Sequence, residues 1–219
     1  MKKILALFQG FLFLFFLKSL VGEELIKLPE PRFKSNVSLE ETLFKRRSIR
    51  EFSPKPLTLE EVSQLLWAAQ GITSSWGGRT APSAGALYPL EIYLVAGNIE
   101  NLNCGVYKYE PKSHSLIKKL EEDKRMDVWS SAWGQSWVRE APVLFIITAV
   151  YERTTQKYGK RGIRYVHMEA GHAAQNILLQ ATALNLVSVP VGAFNDKALK
   201  KSLNIKEDPL YIIAIGKRK

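Results

Sequence analysis

The segment VLFIITAV at positions 143–150, held between Pro142 and the charged pair Glu152 and Arg153, restricts the possible folds more than any other part of the chain. A strand with one wet face alternates apolar and polar residues, whereas this run is apolar almost throughout, which suits a strand covered on both faces. It is expected at the centre of a sheet. Positions 165–184 supply one cover: they read as a single long helix in which Gly171, Ala173, Ala174, Ala181 and Ala183 stand among large apolar side chains. Small residues at helical spacing let neighbours approach from several sides, so this helix is expected in the core.

The other elements follow from caps, periods and breakers. Ser38 with Glu41, and Thr58 with Glu61, have capping-box spacing, in which the hydroxyl accepts from one backbone N–H and the carboxylate from another. Two helix starts are expected. The first helix is short and ends in a basic cluster; the second carries Val62, Leu65, Leu66 and Ala69 and stops at Gly71, a natural C-terminal position. Positions 72–88 form a loop rich in Gly, Ser and Pro that leads into a strand at 91–96. A hairpin pairs 105–109 with 115–118 around Pro111, Lys112 and Ser113, and an amphipathic segment follows through Val128 and Trp137. A strand at 187–191, a short helix at 196–203 and a strand at 210–215 complete the pattern. Hairpins accompany crossovers and no Gly-x-Gly-x-x-Gly follows a strand, so neither a Rossmann unit nor a P-loop is expected, and the class is α+β.

With 219 residues, 46% of them hydrophobic, the chain can bury one ordinary core. Its first part stands apart: Lys2 and Lys3 precede an apolar run at 4–17, weakly interrupted by Gln9 and Gly10 and closed by Lys18. The run is shorter than the roughly 20 residues of a spanning helix. It reads as a secretory signal cut near Gly22, or as a membrane anchor if retained, so the protein is expected to be exported to a periplasmic or extracellular location. The expected organisation is signal or anchor at 1–22, a linker at 23–37 containing Pro29 and Pro31, and a folded domain at 38–219. The single cysteine, Cys104, excludes an intrachain disulfide and cysteine-type metal clusters. His167 and His172 lie five apart and do not share a face as an i, i+4 metal pair would, so no metal is expected. His172 is read as a hydrogen-bonded core residue. The formal charge is +10; subtracting the three lysines of a removed signal, which holds no acid, leaves +7. Lys and Arg are spread along the chain without interleaved aromatics, so no nucleic-acid partner is expected; a membrane partner is expected only if the N-terminal segment stays.

Four constellations can carry chemistry, and each also has a plain structural explanation. Arg46, Arg47, Ser48 and Arg50 close the first helix; guanidinium forks match phosphate oxygens, while a basic helix end also suits the helix dipole. Pro82, Ser83, Ala84 and Gly85 open a loop whose small residues would admit a flat ring, or would form an ordinary surface loop. Val191, Gly192 and Ala193 form a turn after a strand, where backbone N–H groups can face a ligand acceptor or simply lead into a helix. Lys217 and Arg218 follow Gly216 as cations near a strand end, or as a frayed charged tail.

Together, in this order and spacing, these segments resemble the nitroreductase family of flavoproteins across 41–217. The likeness is greatest to the branch of SagB-type dehydrogenases, which oxidise azoline rings in modified peptides. It is carried by PSAGALYPLE at 82–91, KYGKRGIRY at 157–165 and EAGHAAQN at 169–176. The resemblance implies a central, mostly antiparallel sheet flanked by helices in an intertwined homodimer, with FMN as cofactor. It implies that Arg46 and Ser48, with Lys217 or Arg218, bind the FMN phosphate, that Arg50 faces the pyrimidine edge of the flavin, and that Arg47 is an accessory member. Pro82, Ser83, Ala84 and Gly85 would touch the flavin of the partner subunit. A backbone N–H of Gly192 or Ala193, after Val191, would point at flavin N5; many family members have Glu-Gly there, and Gly192-Ala193 departs from that. Lys157 and Tyr158 resemble a Lys-Tyr pair associated with proton removal, although they also fit an exposed basic stretch with Lys160, Arg161 and Arg164. The implied activity is hydride transfer through flavin N5 to or from a small-molecule or modified-peptide substrate. It would run either as nitro or quinone reduction with NAD(P)H as donor or as azoline-type dehydrogenation. The alternative is a non-catalytic protein of the same fold that binds an acidic partner or a membrane surface.

Overall fold

The computed structural model describes residues 25–219, so the apolar segment read as a signal or anchor lies outside the described residues. No helix among the described residues is long and apolar enough to cross a membrane. Seven strands form one sheet: β1 (Leu25–Lys27), β2 (Leu90–Ala96), β3 (Gly105–Glu110), β4 (Ser115–Leu120), β5 (Val143–Ala149), β6 (Leu186–Val191) and β7 (Asp208–Lys217). Their order is β1-β4-β3-β2-β5-β7-β6, and each neighbouring pair is antiparallel.

The seven α-helices among the described residues are α1 (Leu39–Lys45), α2 (Leu59–Gln70), α3 (Arg125–Ser131), α4 (Ser136–Glu140), α5 (Glu152–Tyr158), α6 (Arg161–Ala183) and α7 (Asp196–Ser202). They cover both faces of the sheet. Successive strand side chains point to opposite faces, so Phe145 and Ile147 of β5 join a core with Leu65 and Leu66 of α2 and Ile177 of α6. Leu144 and Ile146 join the opposite core with Val128 of α3, Val138 of α4 and Leu199 of α7. Every residue of β5 is buried, which is the physical reason its sequence lacks a polar alternation. Each fully buried Leu, Ile or Phe contributes about 1.5–3 kcal/mol.

Several local expectations need correction. Within the expected linker, positions 25–29 are tied to the domain: β1 pairs with β4, Leu28 is buried, and the Pro29 carbonyl accepts from the Ser63 hydroxyl at 2.5 Å. The segment docks because its backbone pairs at the sheet edge and Leu28 enters the core with Ile26 packed against it. Both halves of the Thr58–Glu61 capping box form, whereas at α1 only the Ser38 hydroxyl caps, because the Glu41 carboxylate turns to Lys45. Gly71 ends α2 without a left-handed conformation; a Cβ there would come 2.1 Å from Trp67 Cδ1, so the glycine is needed for space. The amphipathic segment divides into α3 and α4 at Trp133 and Gly134, both with positive φ. Helix α6 begins four residues before the expected start, and Gly162 lets it pack against α5: a Cβ there would lie 3.0 Å from Thr155 Cα.

Candidate functional site

The chain leaves α1 at Arg46, which has extended rather than helical backbone, and runs beside the start of β6. Ser48 makes a parallel bridge with Ser188, and the Ile49 N–H donates to the Ser188 carbonyl at 3.0 Å. Further on, the Ser53 N–H donates to the Lys217 carbonyl at 3.0 Å. Backbone pairing thus gathers the basic end of α1, the start of β6 and the end of β7, segments distant in sequence.

Their side chains differ in availability. The Arg47 guanidinium donates to the carbonyls of Phe44 and Arg46, at 3.0 and 2.7 Å, so it caps its own helix. Arg50 lies over the Trp137 ring, 5.0 Å from its centroid. Lys217 is paired with Glu61 of α2, and this contact leaves its ammonium engaged. Among the described residues Arg46, Arg50 and Arg218 enter no ion pair. Charge without a local counterion at a strand end is what a phosphate-bearing ligand requires.

At the other end of β6, Val191 is buried while Gly192 and Ala193 are exposed. Gln135 fixes the turn by donating from Nε2 to the Ala193 carbonyl at 2.9 Å. Gly192 opens onto a cavity of about 490 Å³ with Tyr151, His167, Gly171 and Phe194 in its wall. The Tyr151 hydroxyl and His167 Nε2 lie 2.6 Å apart there.

The 82–85 turn forms a second group. Residues Ala84–Ala86 make one turn of 3-10 helix, with Gly85 at φ +63°. A Cβ on Gly85 would lie 2.7 Å from the Tyr158 hydroxyl and 3.1 Å from Lys157 Nζ, so the glycine lets the turn press against both candidate residues. Tyr158 in turn meets Tyr165 edge-on, ring centroids 5.2 Å apart. A cavity of about 280 Å³ lies between Pro82, Ser83 and Ala84 and the α6 residues Tyr165, Met168 and His172. His172 is exposed on this wall, contrary to its expected place in the core.

The two cavities share no lining residue. At 100° per residue, positions 165, 169 and 172 of α6 face one way, and 167, 170 and 171 face largely the other. One protomer therefore presents the β6 turn and the 82–85 turn on separate sides of the same helix.

Glu169 opens the EAGHAAQN segment, but the sequence reading gave it no role. It is 2% exposed and belongs to the wall of the second cavity, where its Oε1 has no hydrogen-bond partner. Burial pushes its carboxyl up to about 7, against the downward pull of the Ser83 hydroxyl and the Arg79 guanidinium. The available signal was its spacing: Glu169 follows Val166 by three and precedes Ala173 by four, which puts it on the buried stripe of α6. Among the described residues no cluster of His, Cys, Asp or Glu could hold a metal ion.

Comparison with known proteins gives consistent results. The family model described as Nitroreductase family matches residues 43–217. A protein of Methanocaldococcus jannaschii carrying a nitroreductase name is 47% identical over 193 residues, which span 88% of this chain and 96% of that one. A crystal structure from Ralstonia eutropha, likewise named as a nitroreductase, superposes with TM-score 0.79 at 33% identity, covering 91% of this chain and 92% of its own. A chain of the Escherichia coli microcin synthetase McbBCD complex, which has truncated pro-MccB17 bound, superposes with TM-score 0.68 at 25% identity. The match covers 93% of this chain and 81% of that one.

Proposed function

The chain belongs to the nitroreductase family, whose members are generally flavin-dependent oxidoreductases, and on that premise we propose that it is an FMN-dependent oxidoreductase working as a homodimer. The observation that carries the reading is the arrangement along β6. Unpaired Arg46 and the Ser48 hydroxyl stand at its start, and the exposed Gly192-Ala193 turn stands at its end. Ser188 and Gly192 are four residue steps apart along the strand direction, about 13 Å, a span that suits a nucleotide laid from phosphate to ring.

In this reading Arg46 and Ser48 hold the phosphate, by a guanidinium fork and a hydroxyl donor. Arg218 is the freer of the two C-terminal cations, because Lys217 must exchange Glu61 for the ligand. Arg50, held by Trp137, places positive charge beside the pyrimidine edge and favours the electron-rich state of the ring. The backbone N–H of Gly192 or Ala193 serves the ring at N5, and the absence of a side-chain carboxylate in this turn leaves the field there more positive than a Glu-Gly turn would. When bound, FMN supplies the ability to accept or donate a hydride. Lys157 and Tyr158, against the 82–85 turn, are the groups placed to move a substrate proton.

The homodimer reading rests on the surface. Leu39, Leu43 and Phe44 of α1 and Ile163 and Met168 of α6 are large apolar side chains left exposed. Gly171, in the middle of α6, has open space where a side chain would be. An exposed mid-helix glycine costs about 1 kcal/mol relative to alanine, and close approach of a second subunit gives it a reason. Two half-sites on separate sides of α6 would then be completed by the 82–85 turn of the partner. The substrate class is a small organic acceptor or donor, with NAD(P)H as the donor in the reducing direction; the likeness to a chain of a peptide-processing complex supports a modified peptide as the other option.

The test is reconstitution with FMN followed by desalting, with absorbance and sedimentation recorded together. About one flavin per chain in a dimer, lost in Arg46→Ala, is the expected result. A dimer that retains no flavin would refute the oxidoreductase reading and leave a non-catalytic binding protein of this fold.

A further inference from the structure

Strand β5 leads into α5 through Tyr151, whose ring packs against the core while its hydroxyl meets His167 of α6. Tyr151 Oη and His167 Nε2 are 2.6 Å apart, and the two rings stand edge-on at 83° with centroids 5.7 Å apart. His167 is exposed, and among the described residues its Nδ1 has no hydrogen-bond partner. One imidazole nitrogen therefore serves the tyrosine, and the other is left to water. Both side chains stand in the wall of the cavity of about 490 Å³ onto which Gly192 opens. Phe194 and Tyr211 add two more rings, and Tyr211 lies beside Gly192, where a Cβ would come 3.8 Å from its Cε2. Gly171 and Gly192 contribute no side chain, so aromatic groups bound a space suited to a flat molecule. Of the two hydroxyls in this wall, only that of Tyr151 has an imidazole behind it. Burial raises that hydroxyl above its ordinary value, with Asp208 and Asp196 acting in the same direction, so it keeps its proton at neutral pH. These two carboxylates, with His167 and Tyr211, are the titratable groups around it.

We propose that Tyr151 is a catalytic residue of the reducing direction, giving its hydroxyl proton to the substrate oxygen in this cavity, and that His167 is the positioning residue that holds the hydroxyl and restores its proton. The role deepens the flavin reading and rests on it. A protonated His167 donates from Nε2 to Tyr151 Oη, which leaves the tyrosine O–H free to point at an acceptor in the cavity. As a quinone-type acceptor takes a hydride from FMN that NAD(P)H has reduced, negative charge grows on its oxygen. The Tyr151 O–H bond then breaks as the new O–H bond forms, and the His167 Nε2–H bond breaks as the tyrosine hydrogen is replaced. The neutral imidazole takes a fresh proton from solvent, to which its exposed ring is open. One hydride and one proton together give the two-electron-reduced product and leave the flavin oxidised. The pair is distinct from Lys157 and Tyr158, which lie against the 82–85 turn. It shares its cavity with the β6 turn of the same protomer.

The first measurement is of binding alone, on the oxidised FMN-loaded protein with no reductant present, so that nothing turns over. Dissociation constants are compared for duroquinone and for durene, the same tetramethyl ring without oxygens; full substitution keeps the quinone from adding to the exposed Cys104. Tyr151→Phe is expected to weaken duroquinone about tenfold, the loss of one hydrogen bond, and to leave durene unchanged. Tyr211→Phe should change neither. In rapid mixing, reoxidation of the reduced protein by duroquinone should slow about a hundredfold in Tyr151→Phe and in His167→Ala, and added imidazole should restore the rate of the second variant only. Equal losses for both ligands in Tyr151→Phe, an unchanged duroquinone affinity, or no recovery of His167→Ala by imidazole overturns the proposal. Retained FMN with no effect at Tyr151 sinks this proposal alone, whereas a wild-type chain that keeps no FMN refutes the proposed function and this step with it.

Discussion

Replacing Glu169 by glutamine should change how stability depends on pH, and the size of the change follows from its burial. The carboxyl titrates near 7 in the folded chain against an ordinary value of 4.5. At 1.36 kcal/mol per unit, a difference of about 2.5 units amounts to about 3 kcal/mol. The sign is fixed by linkage. Between those two values the folded chain keeps a proton that the unfolded chain has released, so stability falls as pH rises through the window and levels off above it. Glutamine has the same shape and no such titration. Relative to wild type, Glu169→Gln should therefore gain about 3 kcal/mol on going from pH 4.5 to pH 8, a difference of roughly 6–12 °C in Tm for a chain of this size. Urea unfolding of both proteins at four pH values, at one protein concentration so that dimerisation is constant, measures it. Parallel stability curves for the two proteins would show that Glu169 is ionised in the folded state at little cost, and the reasoning from burial would be wrong.

Two further outcomes test other parts of the fold. At Gly216 a Cβ would meet Phe52 Cδ1 at 2.7 Å and Pro142 Cδ at 2.9 Å; Gly216→Ala should cost about 1–3 kcal/mol by overpacking and, by displacing the segment that carries Arg46 and Ser48, should weaken FMN retention in the same reconstitution assay. The docked N-terminal segment depends on His114, whose Nε2 meets Ser63 Oγ at 2.7 Å and the Pro29 carbonyl at 3.0 Å, and whose Nδ1 meets the Tyr109 hydroxyl at 2.8 Å. Burial lowers its pKa below 6.5, so the folded chain holds it neutral. Its contribution is present above pH 6.5 and lost as pH falls through the lowered value, and the stability difference between wild type and His114→Gln should narrow on acidification, as read by urea midpoints.

How much of this was visible in the sequence depended on the range of the interaction concerned. The central place of β5 was legible, since burial on both faces is written in eight successive residues. The Thr58–Glu61 cap was legible because its partners lie three apart. By contrast, β1 has three residues and pairs with β4, some ninety positions later, so nothing local marks positions 25–27 as part of a sheet. The bridge from Ser48 to Ser188 is equally remote; the basic cluster could be read as a candidate ligand site, but its position beside β6 could not. Glu169 was missed for a different reason. A charged residue in a helix reads as solvated, and only the comparison of its spacing with Val166 and Ala173 shows that it turns inward.

The order of strands also bears on how the molecule must assemble. β7 is the last strand in sequence, yet it stands inside the sheet between β5 and β6, and its end accepts a hydrogen bond from Ser53. During synthesis, β5 therefore emerges with one flank bare until about seventy further residues have followed it, and α6 has no finished surface on which to settle until β7 is also made. Closure of the sheet consequently waits for its last strand, and long-range pairings form late. For a polypeptide with a route across a membrane, such a delay would keep the chain open to threading until its final strand is available.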